Sequence, residues 1–206
     1  MPYTLCRVTG GGVVLWDYHA RRLEVEADPV AREAFLRFGR DAAPGVWAIW
    51  TEPGGMRAEP RPGSRLRDGM PARMLPSPVL DRAGSLPKSC SPSGYDRVRL
   101  DGVATLLTSA DGRETLEACC AAVVGWDGGR IVCPPRRRPR VWSTAEAAIR
   151  DHLLTREAEI PTSCDALLLV NAVAGTCALA EPHSRSFPPE IRQRIEALFA
   201  RLTKRP

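Results

Sequence analysis

The chain has 206 residues, which is enough for one large domain or two small ones. Its hydrophobic fraction of 44% and its charged fraction of 26% are those of an ordinary globular protein. No apolar run reaches the roughly 18–20 residues that span a bilayer, and the first residues lack the pattern of a secretory signal. We therefore expect a cytoplasmic protein that does not bind membranes.

The cysteines and the net charge bear on whether the chain is a disulfide-rich or zinc protein and whether it binds nucleic acid. Seven cysteines without a CxxC pair argue against a disulfide framework and against a zinc site, so no metal is predicted. A net charge of +5 and the basic run at residues 136–140 would suit nucleic-acid phosphates. No nucleic-acid motif accompanies this run, so we interpret it as a solvated loop and predict no nucleic-acid partner.

The N-terminal third begins with a predicted β-hairpin. A strand-like stretch at residues 3–8, a glycine turn at residues 10–12 and an apolar stretch at residues 13–16 follow one another. Residues 17–38 have helical spacing with an interruption near Pro29. Asp28 is expected to cap the second helix there.

A strand is predicted at residues 46–50. The stretch at residues 53–71 is dense in Pro, Gly and Arg, which indicates loops between short strands. Residues 74–87 contain three further prolines and form the predicted connection between two domains, at residues 1–80 and 81–206.

The second half alternates irregularly between strands and helices, which favours a mixed α/β (α+β) fold. The predicted helices are residues 143–154, with Ser143 or Thr144 as the N-cap, and residues 189–202. Strands are predicted at residues 102–107, 115–124, 130–133 and 166–170.

The basic residues contain a chemical clue. Of 29 basic residues only Lys88 and Lys204 are lysines, and Lys204 lies close to the C-terminus. An arginine cannot form a Schiff base, because its guanidinium stays protonated and delocalised. A mid-chain lysine kept in such a composition indicates that an amine is needed there, unless it is an ordinary surface lysine.

The order of short segments resembles that of the class IV aminotransferase family, which includes branched-chain and D-amino-acid aminotransferases and aminodeoxychorismate lyases. Thr4 to Val8, a glycine turn and His19-Ala20-Arg21-Arg22-Leu23 are similar to the opening strand pair and His-x-x-Arg-Leu helix of that family. The resemblance implies that Arg22 binds the phosphate of pyridoxal 5'-phosphate (PLP), which a bidentate guanidinium suits.

The segment from Lys88-Ser89-Cys90 to Gly94-Tyr95-Asp96 resembles the lysine segment of the lyases fused to aminodeoxychorismate synthase. The resemblance implies that Lys88 carries the cofactor and moves protons during catalysis. It selects the lysine that the composition had singled out.

The tract from Thr115 to Ala122, with Cys119-Cys120-Ala121-Ala122 at its end, resembles the family segment whose glutamate holds the pyridine nitrogen protonated. That residue is Glu117 by resemblance. Glu114 remains an alternative, because an extra residue in the preceding turn leaves the register open.

Two further segments are similar to the parts of the family that bind the phosphate. Ser143 and Thr144 open a helix whose backbone N–H groups would meet the phosphate. Asn171 and Ala172 lie in the turn that offers backbone donors to the phosphate and the substrate carboxylate.

The resemblance covers nearly the whole chain and implies a two-domain fold-type IV PLP enzyme. We expect a small N-terminal α+β domain, a larger C-terminal α/β pseudo-barrel domain and a homodimer. The lysine segment, the Cys119-Cys120-Ala121-Ala122 tract and the short N-terminal domain favour an aminodeoxychorismate lyase that releases 4-aminobenzoate and pyruvate and serves folate biosynthesis. The alternatives are an aminotransferase acting on a small amino acid and a catalytically silent homologue.

Overall fold

The computed structural model of the chain describes residues 2–78, 85–86 and 94–206. Within these ranges the fold is mixed α and β, as the sequence predicts, with several sheets and the helices packed between and around them. No helix in the described part of the chain is long and apolar enough to cross a membrane.

The N-terminal half is built on a four-stranded antiparallel sheet. Its strands are β1 (Tyr3–Thr9), β2 (Gly12–Val13), β3 (Gly45–Glu52) and β4 (Gly55–Arg61), in the order β2-β1-β3-β4. The predicted loop at residues 53–71 is therefore wrong in part, because β4 pairs with β3 along its whole length. Pro60 is compatible with this strand because β4 lies at the edge of the sheet.

Two helices cover one face of this sheet: α1 (Trp16–Leu23) and α2 (Pro29–Asp41), joined by a 3₁₀ turn (Val25–Ala27). The predicted cap is confirmed, since the Asp28 carboxylate accepts hydrogen bonds from two backbone N–H groups of the first turn of α2, at 2.8 and 3.3 Å. The apolar stretch at residues 13–16, predicted as the second strand of the hairpin, is a strand only as far as Val13. Helix α1 begins at Trp16, and the ring of Trp16 stacks on that of Phe35 with 3.9 Å between the centroids.

The second half begins with β5 (Ala72–Pro76) and the two-residue strand β6 (Ser85–Leu86). The predicted connection at residues 74–87 thus starts inside a strand, and β5 pairs in parallel with β7 (Ala104–Thr108). The division into two domains at residue 80 remains a prediction.

A short helix and three strands follow: α3 (Gly94–Val98), β8 (Thr115–Ala118), β9 (Ala122–Trp126) and β10 (Ile131–Cys133). Residues 115–124, predicted as one strand, form two strands, because the chain turns at residues 119–121 with hydrogen bonds between Ala118 and Ala121.

The remaining strands and helices complete this half. The strands are β11 (Arg140–Val141), β12 (Thr155–Glu157), β13 (Leu167–Asn171) and β14 (Gly175–Cys177). The helices are α4 (Thr144–His152) and α5 (Pro189–Arg201). The larger sheet has the order β12-β10-β9-β13-β14. One small sheet pairs β6 with β11, and the other has the order β5-β7-β8.

The larger sheet is buried on both faces. Alternate residues of β9 and β13 point in opposite directions, so Val124 and Leu168 pack against α4 and α5 while Val123 and Leu167 pack towards β7. Leu15, just before α1, belongs to the same hydrophobic cluster as Val124 and Leu168. The N-terminal helices and the C-terminal half therefore share a hydrophobic core at α1 and α4.

Candidate functional site

Glu117 lies on β8 with only 4% of its surface exposed. The Tyr95 hydroxyl donates a hydrogen bond to its Oε1 at 2.6 Å, and the Val141 N–H approaches both carboxyl oxygens, at 3.1 and 3.2 Å. Val141 is the β11 residue that pairs with Leu86 of β6. The carboxyl group of Glu117 therefore lies against the strand pair that contains residues 85 and 86.

The environment of Glu117 changes its acidity. Burial raises the pKa of Glu117 to about 7, while the hydrogen bonds from Tyr95 and Val141 oppose the shift. Burial and the neighbouring carboxyl group also raise the pKa of Tyr95, so its hydroxyl remains a proton donor at ordinary pH. The site thus holds a carboxyl group that changes charge close to neutral pH.

This raised pKa predicts how the stability of the cofactor-free protein depends on pH. Folded Glu117 holds its proton up to about pH 7, whereas the unfolded chain releases it near 4.5. The free energy of unfolding should therefore fall as pH rises from about 4.5 to 7, by roughly 3 kcal/mol, since each pH unit contributes about 1.4 kcal/mol. Denaturant titrations across this range measure the effect.

Two variants isolate the contribution of Glu117 to that slope. Glu117→Gln keeps the shape and cannot ionise, so the decline between pH 4.5 and 7 should flatten. Glu33→Gln changes an exposed carboxylate on α2 and should leave the slope as it is. Equal slopes for the wild-type protein and Glu117→Gln would show that Glu117 is not the group responsible.

Glu114, the alternative to Glu117, lies elsewhere. Glu114 precedes β8, and its carboxylate forms an ion pair with Arg138 at 2.7 Å. Burial raises the pKa of Glu114 and Arg138 opposes that shift. Of the two glutamates it is Glu117 that contacts the β6–β11 strand pair.

The basic run of residues 136–140 is partly internal. Arg138 forms ion pairs with Glu114 and Glu159, and the buried Arg140 bonds to both carboxyl oxygens of Glu146. These guanidinium groups therefore pair with carboxylates of the protein, which departs from the predicted solvated loop.

Arg22 lies on α1 in an unusual environment. Its Nε and Nη2 atoms are buried and have no hydrogen-bond partner among the residues that the structure describes. The guanidinium lies over the ring of Trp142, with 4.9 Å between Cζ and the ring centroid. Burial lowers the pKa of Arg22 to about 10. A buried cation without a counter-charge is costly, so this position favours an anionic ligand.

The residue after Trp142 caps helix α4. Ser143 is the N-cap, and its hydroxyl oxygen accepts a hydrogen bond from the Glu146 N–H at 3.3 Å. Thr144 is the first residue of the helix and is buried. The N-terminus of a helix is the positive end of its dipole and carries free N–H donors. The guanidinium of Arg22 and the N-terminus of α4 both attract anions, and Trp142 places them next to each other.

The contact between α1 and α4 fixes this arrangement. The Tyr18 hydroxyl donates to Asp151 near the end of α4 at 2.9 Å, and Arg21 forms an ion pair with the same carboxylate at 3.3 Å. Arg21 is exposed, while the adjacent Arg22 turns inward. Neighbouring arginines on α1 therefore have different surroundings, which makes Arg21 a matched control for Arg22.

Asn171 ends β13, and its side chain builds the turn that follows. Its Oδ1 accepts hydrogen bonds from the backbone N–H groups of Val173 and Ala174, at 2.6 and 3.2 Å. Its Nδ2 donates to the Cys120 carbonyl. Ala172 is buried within this turn. The side chain of Asn171 thus joins the turn after β13 to the turn after β8, the strand that carries Glu117.

Lys88 lies outside the described residues, and so does Cys90 of the same segment. The structure supplies two contacts that were not predicted for the site: Tyr95 with Glu117, and Trp142 with Arg22. Tyr95 belongs to the motif that singled out Lys88, but only the structure shows that its hydroxyl bonds to Glu117.

Comparison with solved structures identifies the fold. A 4-amino-4-deoxychorismate lyase from Pseudomonas aeruginosa is similar over 95% of this chain and 88% of its own, with 17% identity and a TM-score of 0.60. A fold IV transaminase from Curtobacterium pusillum is similar over 97% and 83%, with 20% identity and a TM-score of 0.62.

A hypothetical aminotransferase from Mycobacterium tuberculosis in its PLP-bound form is similar over 98% of this chain and 88% of its own, with 14% identity and a TM-score of 0.61. No protein-family model matches the sequence, and no curated protein matches it significantly. The chain has the fold shared by class IV aminotransferases and 4-amino-4-deoxychorismate lyases, which is fold-type IV.

Proposed function

We propose that the chain is a PLP-dependent lyase of the aminodeoxychorismate type, which releases 4-aminobenzoate and pyruvate. The observation that carries the proposal is the guanidinium of Arg22 beside the start of α4, whose buried Nε and Nη2 atoms lack a hydrogen-bond partner in the described part of the chain. The fold and the buried carboxyl group of Glu117 support it.

The phosphate end of the cofactor fits the residues present. A phosphate dianion would supply the counter-charge that Arg22 lacks within the described part of the chain. The backbone N–H groups at Ser143 and Thr144 would add donors from the helix N-terminus. The Trp142 ring covers one face of the guanidinium, so the anion would approach Arg22 in the plane of its N–H groups.

The ring end fits Glu117. An ionised carboxylate accepts about four hydrogen bonds, and Tyr95 and Val141 leave part of that capacity unused. A pyridinium N–H would use it, and its positive charge would lower the pKa of Glu117 and keep the carboxylate ionised. Asn171 and Ala172 would present the turn after β13 to the substrate carboxylate.

Lys88 is assigned the catalytic role. Lys88 follows Leu86 by two positions in the sequence, and Leu86 pairs with Val141 beside Glu117. When bound, PLP supplies an electron sink for the bond that breaks. The amine of Lys88 would hold the cofactor and then move a proton at the substrate carbon that bears the amino group.

The lyase and aminotransferase reactions diverge once that proton has been removed. A lyase expels pyruvate, the remaining ring becomes aromatic, and a single substrate suffices. An aminotransferase must also accept a second, oxo-acid substrate in the same pocket. The lysine segment and the Cys119-Cys120-Ala121-Ala122 tract, which resemble those of lyases, favour the lyase reaction.

A direct assay tests the reaction. Purified protein loaded with PLP should convert aminodeoxychorismate to 4-aminobenzoate and pyruvate without an added oxo acid, as followed by 4-aminobenzoate fluorescence. Turnover only with an amino-acid and oxo-acid pair would make the chain an aminotransferase instead. PLP binding without either turnover would make it a silent homologue.

We also propose a homodimer, as the resemblance to the class IV aminotransferase family implies. Light scattering at micromolar concentration should give twice the 22.5 kDa of the chain. A mass of 22.5 kDa throughout that concentration range would contradict the dimer.

A further inference from the structure

A second candidate site lies away from Glu117 and Arg22. A cleft of about 350 Å³ opens between the β1–β2 hairpin and the C-terminal end of α5. Arg7, Thr9 and Val14 form one wall, and Glu196, Phe199 and Thr203 form the other. This volume is at the lower end of the range found for small-ligand sites.

Backbone pairing holds the two walls in place. The Val13 N–H donates to the Lys204 carbonyl at 2.8 Å, and the Lys204 N–H donates back at 3.1 Å. Gly12 has a φ of +116°, and a Cβ atom there would lie 2.1 Å from the Lys204 carbonyl oxygen. The hairpin therefore docks closely on the chain that leaves α5, which makes the cleft a fixed feature of the fold.

Arg7 is the only basic residue among the residues that line the cleft. Cys6 and Val8, its neighbours on β1, point under the helices and are buried. Strand alternation sends Arg7 to the opposite face. Its Nε is buried and has no hydrogen-bond partner within the described ranges. A buried guanidinium N–H in a cleft requires an acceptor, and an anion supplies one.

The other lining groups define which anion fits. Ala200 is exposed and adds apolar surface to the cleft, while Val14 and Phe199 close its floor with only 2% of each residue exposed. This apolar part of the lining favours a ligand with an apolar body. Glu196 bonds to the Thr176 hydroxyl and pairs with Arg192 at 3.9 Å, and its carboxylate still adds negative charge beside the cleft, which disfavours a dianion. One guanidinium with one opposing carboxylate nearby suits a singly charged carboxylate better than a phosphate.

We propose that this cleft binds a small monocarboxylate with an apolar or aromatic body, with Arg7 bonding the carboxylate and Ala200 contacting the body. The cleft is lined by none of the residues assigned to PLP. The proposal therefore goes beyond the proposed lyase activity and does not depend on it.

Thermal unfolding with benzoate as the probe tests this. A ligand that binds only the folded state raises the melting temperature as its concentration rises. Benzoate should do so, while the neutral benzamide and inorganic phosphate should shift the melting temperature much less. Arg7→Met should weaken benzoate binding at least about tenfold, the factor that a lost charge-assisted pair represents.

Three further variants locate the binding. Ala200→Phe fills the cleft and should abolish the benzoate shift even if Arg7→Met folds poorly. Arg57→Met, an exposed arginine on the same sheet, and Arg22→Met should both keep it. The proposal is overturned if phosphate or benzamide stabilises as well as benzoate, if Ala200→Phe keeps the shift, or if Arg22→Met removes it.

Discussion

Replacement of Lys88 by alanine is expected to abolish turnover and to remove the covalent attachment of PLP. Lys88 is the amine assigned both to hold the cofactor and to move the proton, so the loss in kcat should be at least about a hundredfold, the usual contribution of a general acid–base group. The absorbance band of the covalently attached cofactor should be replaced by that of free or loosely held PLP. The phosphate contacts remain, so weak binding should persist.

The chain offers an unusually clean control for this experiment. Lys204 is the only other lysine, and its Nζ forms an exposed ion pair with Asp17 at 2.6 Å. Lys204→Ala should keep the band and the turnover, since exposed ion pairs contribute little. If Lys88→Ala retains the covalent band and Lys204→Ala loses it, Lys88 is not the cofactor lysine.

Arg22→Met is expected to separate cofactor affinity from stability. Loss of a guanidinium that bonds a phosphate should weaken PLP binding by about 2 kcal/mol, or about 30-fold in Kd. The same change removes a buried cation without a counter-charge among the described residues, so the cofactor-free protein should keep or gain stability. Fluorescence titration with PLP and thermal unfolding without it measure the two effects.

Arg21→Met is the matched control, because Arg21 precedes Arg22 on α1 and forms an exposed ion pair with Asp151. Its effect on PLP affinity should be small. A large loss of stability in cofactor-free Arg22→Met would show that the guanidinium has a structural role, and unchanged PLP affinity would remove Arg22 from the phosphate site.

The sequence predicted those elements whose signals are local. The Asp28 cap can be recognised because a capping residue, a proline and a helical pattern stand next to one another. The C-terminal helix shows the same kind of signal, with apolar residues at helical spacing along residues 191–202. Both signals need only the residues of the element itself.

The sequence predictions were wrong at segments whose structure depends on contacts with residues distant in the sequence. Strand β4 has the composition of a loop, with Gly, Pro and Arg, and is a strand because β3 pairs with all of it. Val14, Leu15 and Trp16 look like the second half of a hairpin, but α1 begins there so that the Trp16 ring can stack on Phe35. Such contacts join residues distant in sequence, which a local pattern does not contain.

The candidate site shows the same limit. The resemblance led to Glu117 and left Glu114 open, and the structure gives the two residues different surroundings, since Glu117 bonds to Tyr95 and Val141 whereas Glu114 pairs with Arg138. Tyr95 and Trp142 contact the two proposed ends of the cofactor site from 22 and 120 residues away. A motif can indicate such residues, but their partners follow only from tertiary packing.

The central claim is that Lys88 carries PLP in this fold. Reduction of the PLP-loaded protein with borohydride, followed by peptide mapping, fixes the cofactor to whichever amine holds it. We predict a single pyridoxyl adduct on the peptide that contains Lys88. An adduct on Lys204 or on the N-terminal amine, or no adduct with PLP present in excess, would contradict the account.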